Sequence, residues 1–407
     1  MGITHFPEAP EPSRNRDAFG RLRVSSPTNL WTSEFQYNLH PLYFDEITVT
    51  GGSVAHLPNE SAAGLTVDTQ SGASAILQTF EYFRYQPGKS HAVAMTFVAG
   101  TLQTDTDMRI GYFDDDNGLF LEFDSTVVNL VRRTKTSGSV VNNKTAQASW
   151  SLDPMDGTGP SGITIDWTKG QILWIDFQWL SQGRIRFGFD IDGEIHYVHE
   201  EMGANTLDVP TITTPNLPVR WEIVNTGVPS AGLTLTAICS TVMSEGGADT
   251  ELGHAFGAGN GATLRTGIGT TAVPICSVRP AASLNSITNR IKWKLENIEI
   301  WADDSMLWQL IYKPTSITSA SFGAQPAHSA TEIDIAGTAI VGGVVIASGY
   351  IAAANKGGIT GEFVRIKHPV ALDAAGSDQS ASLSIVVTTL GGTNKSAAGM
   401  FNWVEIR

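Results

Sequence analysis

The chain reads as an all-β protein of two antiparallel sandwiches, and three observations predict it. Apolar residues recur at every second position through most of its 407 residues. That is the repeat of a strand with one face in a core. Gly, Pro and Asn interrupt these runs at short intervals, as turns require. Charged residues make up only 16% against the roughly 25% usual for soluble domains, while Gly reaches 41 residues. Helical surfaces rich in Lys and Glu are therefore not expected. A length of 407 exceeds one ordinary domain.

Residues 1–30 form an expected extended arm. Pro7, Pro10 and Pro12 withhold backbone donors and favour an extended chain. Arg14, Arg16, Arg21 and Arg23, with Phe19 among them, set a basic stripe against a body of net charge -14. The expected role is attachment to a neighbouring acidic subunit; a floppy terminus is the bland alternative.

Residues 31–247 are expected to form a large sandwich of jelly-roll or concanavalin-like type. Arg109 to Phe113 and Leu119 to Asp124 flank Asn117-Gly118, a strong hairpin signal. A two-residue loop there would pair Tyr112 with Phe123. Gln171 to Leu180 alternates through Leu173, Ile175, Phe177 and Trp179; Arg184 to Ile191 alternates through Ile185, Phe187, Phe189 and Ile191. At Asp192-Gly193 a bulge or three-residue loop is expected, setting Ile191 opposite Ile195. Residues 248–286, dense in glycine, read as a loop or linker. Residues 287–407 form a second β block, in which Ile291 to Trp301 and Met306 to Tyr312 flank a four-residue hairpin loop. Strands are also expected at 332–335, 340–348, 362–367, 382–390 and 400–406. Cys239 and Cys276 read as two buried free thiols.

The acidic balance argues against nucleic acid, which demands clustered Lys and Arg. No run approaches 18 apolar residues, so no transmembrane helix is expected, nor does the N-terminus carry the apolar core of a signal peptide. Phe6 stands where a myristoylation pattern needs Ser or Thr.

Candidate chemistry is sparse. Asp114-Asp115-Asp116-Asn117-Gly118 opens like a calcium loop, but Gly118 falls fifth and Ser125 twelfth, where Gly sixth and Glu twelfth are needed. A turn with solvated carboxylates is the reading; an irregular calcium site is its rival. Gly257 to Gly261 opens no helix and precedes no Lys-Ser/Thr pair, so it cradles no phosphate. His196 and His199, three apart on a strand, should point to opposite faces. Glu200-Glu201 and Asp190 with Asp192 are the close acidic groupings that could serve glycoside hydrolysis, but nothing marks one as a raised-pKa acid. The expectation is that the chain is no enzyme and needs no cofactor or metal. The turn-rich loop Asp153 to Gly162 is a candidate partner contact. Trp301 or Trp308 could stack on sugars, although core packing is the commoner role.

Several stretches resemble one family. Arg16-Asp17-Ala18-Phe19-Gly20-Arg21-Leu22-Arg23-Val24-Ser25, Gln78 to Ser90, Leu152 to Gly162, Gly183 to Phe189, Thr214 to Arg220 and Cys239 to Gly247 are similar to virion structural proteins of tailed bacteriophages, with like proteins in large DNA viruses. The resemblance covers roughly residues 16–247. It implies a structural component of the particle, made in the host cytoplasm: a head fibre, capsid decoration or tail-associated protein, held by its arm to capsid or tail subunits. A homo-trimer is the expected assembly. The alternative is a carbohydrate-binding host-recognition module.

Overall fold

The computed structural model describes residues 27–247, 253–324, 327–352 and 382–407. Residues 1–26 of the expected arm, with Arg14, Arg16, Phe19, Arg21 and Arg23, lie outside the described residues, as does the strand expected at 362–367. The arm's last four residues, 27–30, are not arm but the start of a strand paired with Leu233–Glu245. The protein is all-β, with antiparallel sheets and one short 3-10 turn among the described residues.

Fifteen strands build the larger sandwich: β1 Pro27–Glu34, β2 Phe44–Val49, β3 Gly52–Leu57, β4 Ala62–Val67, β5 Ser74–Thr79, β6 Ser90–Val98, β7 Thr106–Phe113, β8 Gly118–Asp124, β9 Val127–Thr134, β10 Val141–Ala146, β11 Gln171–Phe177, β12 Ile185–Ile191, β13 Glu194–Glu201, β14 Val219–Asn225 and β15 Leu233–Glu245. One sheet runs β13-β12-β11-β6-β15-β4-β3, with β1 also on β15; the other runs β10-β9-β8-β7-β14-β5-β2. The two central strands β15 and β14 come last in sequence. Between the sheets lie Val93, Met95, Phe97, Leu173, Ile175, Phe187 and Phe189, facing Leu77, Ile110, Tyr112, Leu121, Phe123, Trp221 and Ile223. The alternation in Gln171–Ile191 therefore holds: its odd-numbered apolar residues face the core.

Fourteen strands follow: β16 His254–Gly259, β17 Arg265–Ile268, β18 Val273–Pro280, β19 Ser283–Leu284, β20 Ile287–Thr288, β21 Lys292–Ala302, β22 Met306–Tyr312, β23 Ser316–Thr318, β24 Gly323–Ala324, β25 Thr331–Asp334, β26 Ala339–Val341, β27 Val344–Ile351, β28 Leu383–Thr389 and β29 Lys395–Ile406. One sheet centres on β29, flanked by β16, β17 and β21; the other runs β24-β25-β18-β28-β22-β27. Their shared core holds Ile275, Trp293, Leu295, Trp308, Leu310, Ile385, Phe401 and Trp403.

Five further sequence expectations are corrected, the last of them in part. The glycine-rich 248–286 stretch is no linker: β16, β17 and β18 are strands of the second sandwich. Its glycines permit close pairing, since a Cβ on Gly259 would stand 2.1 Å from the Gly399 carbonyl oxygen. Strands β21 and β22 form no hairpin. The chain crosses from one sheet to the other at Asp303–Ser305, because β21 pairs with β29 and β22 pairs with β27 and β28. Tyr112 faces Leu119 instead of Phe123, because the loop spans Asp114–Asn117. At Asp192-Gly193 the loop is a strict two-residue turn with both residues at positive φ, 56° and 81°. Ile191 faces Glu194, and the bulge sits farther along, at Phe187/Gly188. Cys276 is buried but Cys239 is exposed, so the paired expectation holds for one thiol only.

The sandwiches meet through the acidic turn. Asp114 Oδ1 accepts the backbone N–H of Asp116 and Asn117, at 2.9 and 2.7 Å. Its Oδ2 accepts Arg290 Nε and Nη2, at 2.8 and 2.5 Å. Asp115 pairs with Arg220, and Asp116 with Lys135. Lys292 reaches Glu81 at 3.2 Å, and Arg84 Nε donates to the Arg407 carbonyl at 3.1 Å. Of the carboxylates read as solvated, Asp115 is open to water, whereas Asp114 is buried against Arg290 of the second sandwich.

Candidate functional site

The outward face of the β13-β12-β11-β6 sheet carries the candidate site. Because Leu173, Ile175 and Phe177 point inward, their neighbours Ile172, Trp174 and Asp176 point outward. Arg186 is set directly opposite Asp176, and Gly188 opposite Trp174. The bulge at Phe187/Gly188 brings Tyr197 of β13 alongside Gly188. On the other flank Ala94 of β6 faces Trp174. The half-buried indole thus lies between a glycine and an alanine, with little to cover it from either side.

Asp176 organises the group. Its Oδ1 accepts Arg186 Nε at 2.7 Å, and its Oδ2 accepts Arg186 Nη2 at 2.6 Å, a bidentate pair. The Tyr197 hydroxyl also donates to Oδ2, and Trp174 Nε1 approaches it at 3.4 Å. The Arg186 guanidinium stacks 4.0 Å from the Tyr197 ring centroid. Burial pushes the Tyr197 hydroxyl well above its usual range, and donation to Asp176 pushes it further, so it stays a donor. Burial works against the charge on Arg186, but the bond to Asp176 outweighs it. The outcome is a fixed, internally neutralised group that offers two aromatic surfaces beside spare guanidinium N–H donors. Such a surface stacks on the C–H face of a ring and bonds the polar groups at its rim.

A second charged group, on the outward side of the other sheet, is closed. Arg109 joins Asp107, Glu122 and Glu222 at 3.2, 3.0 and 2.5 Å; Arg220 and Lys144 complete Glu222 and Glu122, each at 2.6 Å. Burial would raise the Glu222 carboxyl, but Arg220 and Arg109 hold it below its usual range. Glu122 has no accessible surface, so this ladder ties four strands together and presents little to a ligand.

Other sequence candidates disperse. Trp308 is buried in the second core and offers no open stacking face; Trp301 is half-buried, as Trp174 is, but lies away from the Asp176 group, on β21. Contrary to expectation, His196 and His199 lie on one face: the bulge sets them opposite Phe189 and Phe187, which share a side. His199 Nδ1 is occupied by Ser151, accepting its backbone N–H at 3.1 Å. Among the described residues no group of three His, Cys, Asp or Glu is placed to hold a metal ion. Glu201 is paired to Arg132 at 2.6 Å. In the 153–162 loop, Asp153 accepts N–H groups of Met155 and Ser161, each at 2.8 Å, and braces the turn from within. The Asp176–Arg186–Tyr197 group was missed in the sequence. Its signal was opposite charge at outward positions of two adjacent alternating strands.

No protein-family model and no curated protein matches the chain. Among solved structures, similarity extends to a β-1,3-glucanase from Mycobacterium marinum (13% identity, 53% of this chain, 98% of that one, TM-score 0.34). It also extends to a glycosyl hydrolase family 16 protein from Mycobacterium smegmatis (12%, 53% and 100%, 0.34). A third is a legume lectin-like domain from Entamoeba histolytica (9%, 54% and 98%, 0.31). The expectation that the chain is no enzyme is corrected by these matches, two of which are named as glucanase and glycosyl hydrolase.

Proposed function

We propose that the chain is a structural component of a bacteriophage virion that meets a host-surface glycan through the Trp174–Asp176–Arg186–Tyr197 face. The arm would attach it to capsid or tail subunits, and the sandwiches would project from the particle. One observation carries the glycan reading: Trp174 lies half-open between Gly188 and Ala94, beside a guanidinium locked on Asp176. A sugar ring fits that pairing of flat apolar surface with fixed donors. The two sandwiches, joined by Arg290 on Asp114, support the structural part, because a projecting module must resist bending at its joint.

The test is a glycan array with the full chain, followed by titration of each hit. Trp174→Ala should weaken binding at least tenfold while the circular-dichroism spectrum is kept. Reducing-sugar release from the same glycans is measured alongside, which tells retention from cleavage. No binding at high protein concentration overturns the glycan reading. Antibody against the chain that fails to decorate purified particles overturns the virion reading.

A further inference from the structure

We propose that β27 is the seam of a two-fold dimer, in which Val344–Ile351 of two copies pair edge to edge and antiparallel. The strand lies at the end of its sheet and pairs on one side with β22; no described strand pairs with its other side. The backbone N–H and C=O groups on that side, unpaired among the described residues, are a template for another strand. Three other sheet ends carry charges that discourage such pairing: Asp45 and Glu46 on β2, Lys144 on β10, and Glu194, Glu200 and Glu201 on β13; β3 and β16, of six residues each, and β24, of two, are uncharged but shorter than the eight-residue β27. Strand β27 carries none, and the sequence from Ala336 to Asn355 holds no charged residue.

Two features select a second copy as the occupant. The first is charge. Each chain has a net charge of -14, so two copies repel over most of their surfaces. This uncharged stretch is where they approach at least cost. The second is self-complementarity. The bulge at Leu310/Ile311 sets Val345 and Tyr350 opposite Ile311 and Leu307, on one face of the sheet. Both are exposed, at 47% and 70%. An antiparallel self-pair centred between Ala347 and Ser348 puts each Val345 opposite the other copy's Tyr350. Aromatic against β-branched is a favourable cross-strand pair. The same patch serves both copies, so the contact closes at two.

The test is sedimentation equilibrium on the full chain across concentration. A seam of eight residues places dissociation in the micromolar range, about 1–100 µM. The mass should rise from 43.5 kDa to twice that value. Val345→Lys and, separately, Tyr350→Lys should hold it at one chain with unchanged circular dichroism. Oxidation of a Val345→Cys, Tyr350→Cys variant in a Cys239→Ser background should link two chains covalently. A single-chain mass throughout, a mass of three chains, or a dimer indifferent to both lysine variants overturns the proposal.

Discussion

Severing Arg290 from Asp114 should uncouple the two sandwiches. The side chains are 10% and 6% exposed, so the pair is shielded from water and salt. Removing one partner of such a pair costs about 3–5 kcal/mol, because the other is left buried without its counter-charge. Arg290→Met should sit at the low end, about 3 kcal/mol, since the N–H groups of Asp116 and Asn117 still face the Asp114 carboxylate. For domains this size that is a fall of about 6–12 °C in melting temperature. Asp114→Asn keeps the Oδ1 acceptor for the turn but puts an NH2 group where Oδ2 accepted Arg290, so both bonds and the counter-charge are lost, at about 3 kcal/mol. The double variant should cost less than the sum, by about 2 kcal/mol of coupling. Calorimetry and urea melts give all four corners of the cycle, and Arg290→Met should split one transition into two. An Arg290→Met melt within about 0.5 kcal/mol of wild type, the range of an ordinary surface change, refutes the joint.

Three further outcomes follow from the structure. Burial drops His91 to about 3 from 6.5; the unfolded chain alone takes up that proton as pH falls below 6.5, so stability declines there, by about 1.4 kcal/mol per pH unit at most. His91→Phe should flatten this slope between pH 6.5 and 4 in urea melts, and an unchanged slope rejects the assignment. Gly259→Ala should destabilise by about 2–3 kcal/mol through overlap with the Gly399 carbonyl, whereas Gly269→Ala, with open space around it, should stay near wild type. Ellman's reagent should titrate one thiol, Cys239, in the native protein and two after unfolding; two native thiols would contradict burial of Cys276.

Strand identity was legible where one face of a sheet is buried and the other wet. Leu173, Ile175 and Phe177 announce β11 because period-two alternation records burial directly. What alternation does not record is which strand lies alongside. Met306–Tyr312 follows Ile291–Trp301 after four residues, yet belongs to another sheet, because partner choice is set by the whole core. The same limit hid Asp176–Arg186: facing direction could be read for each strand, but not their register. Glycine misled in 248–286 because its sequence mark is the same for a loose loop and for two backbones in close contact. At Asp114 the acidic run was visible, but its partner Arg290 stands 176 residues away.

The order of strands sets a condition on synthesis. The middle of each large sheet is supplied by β14 and β15, whose neighbours β4, β5, β6 and β7 are translated long before them. Until Glu245 has left the ribosome, those neighbours have a gap where their central partner belongs. These neighbouring strands must therefore wait with unsatisfied edges, a setting in which folding is slow and stray association between nascent chains competes. Production of this protein should respond to translation speed and chaperone supply more than to changes on its finished surface.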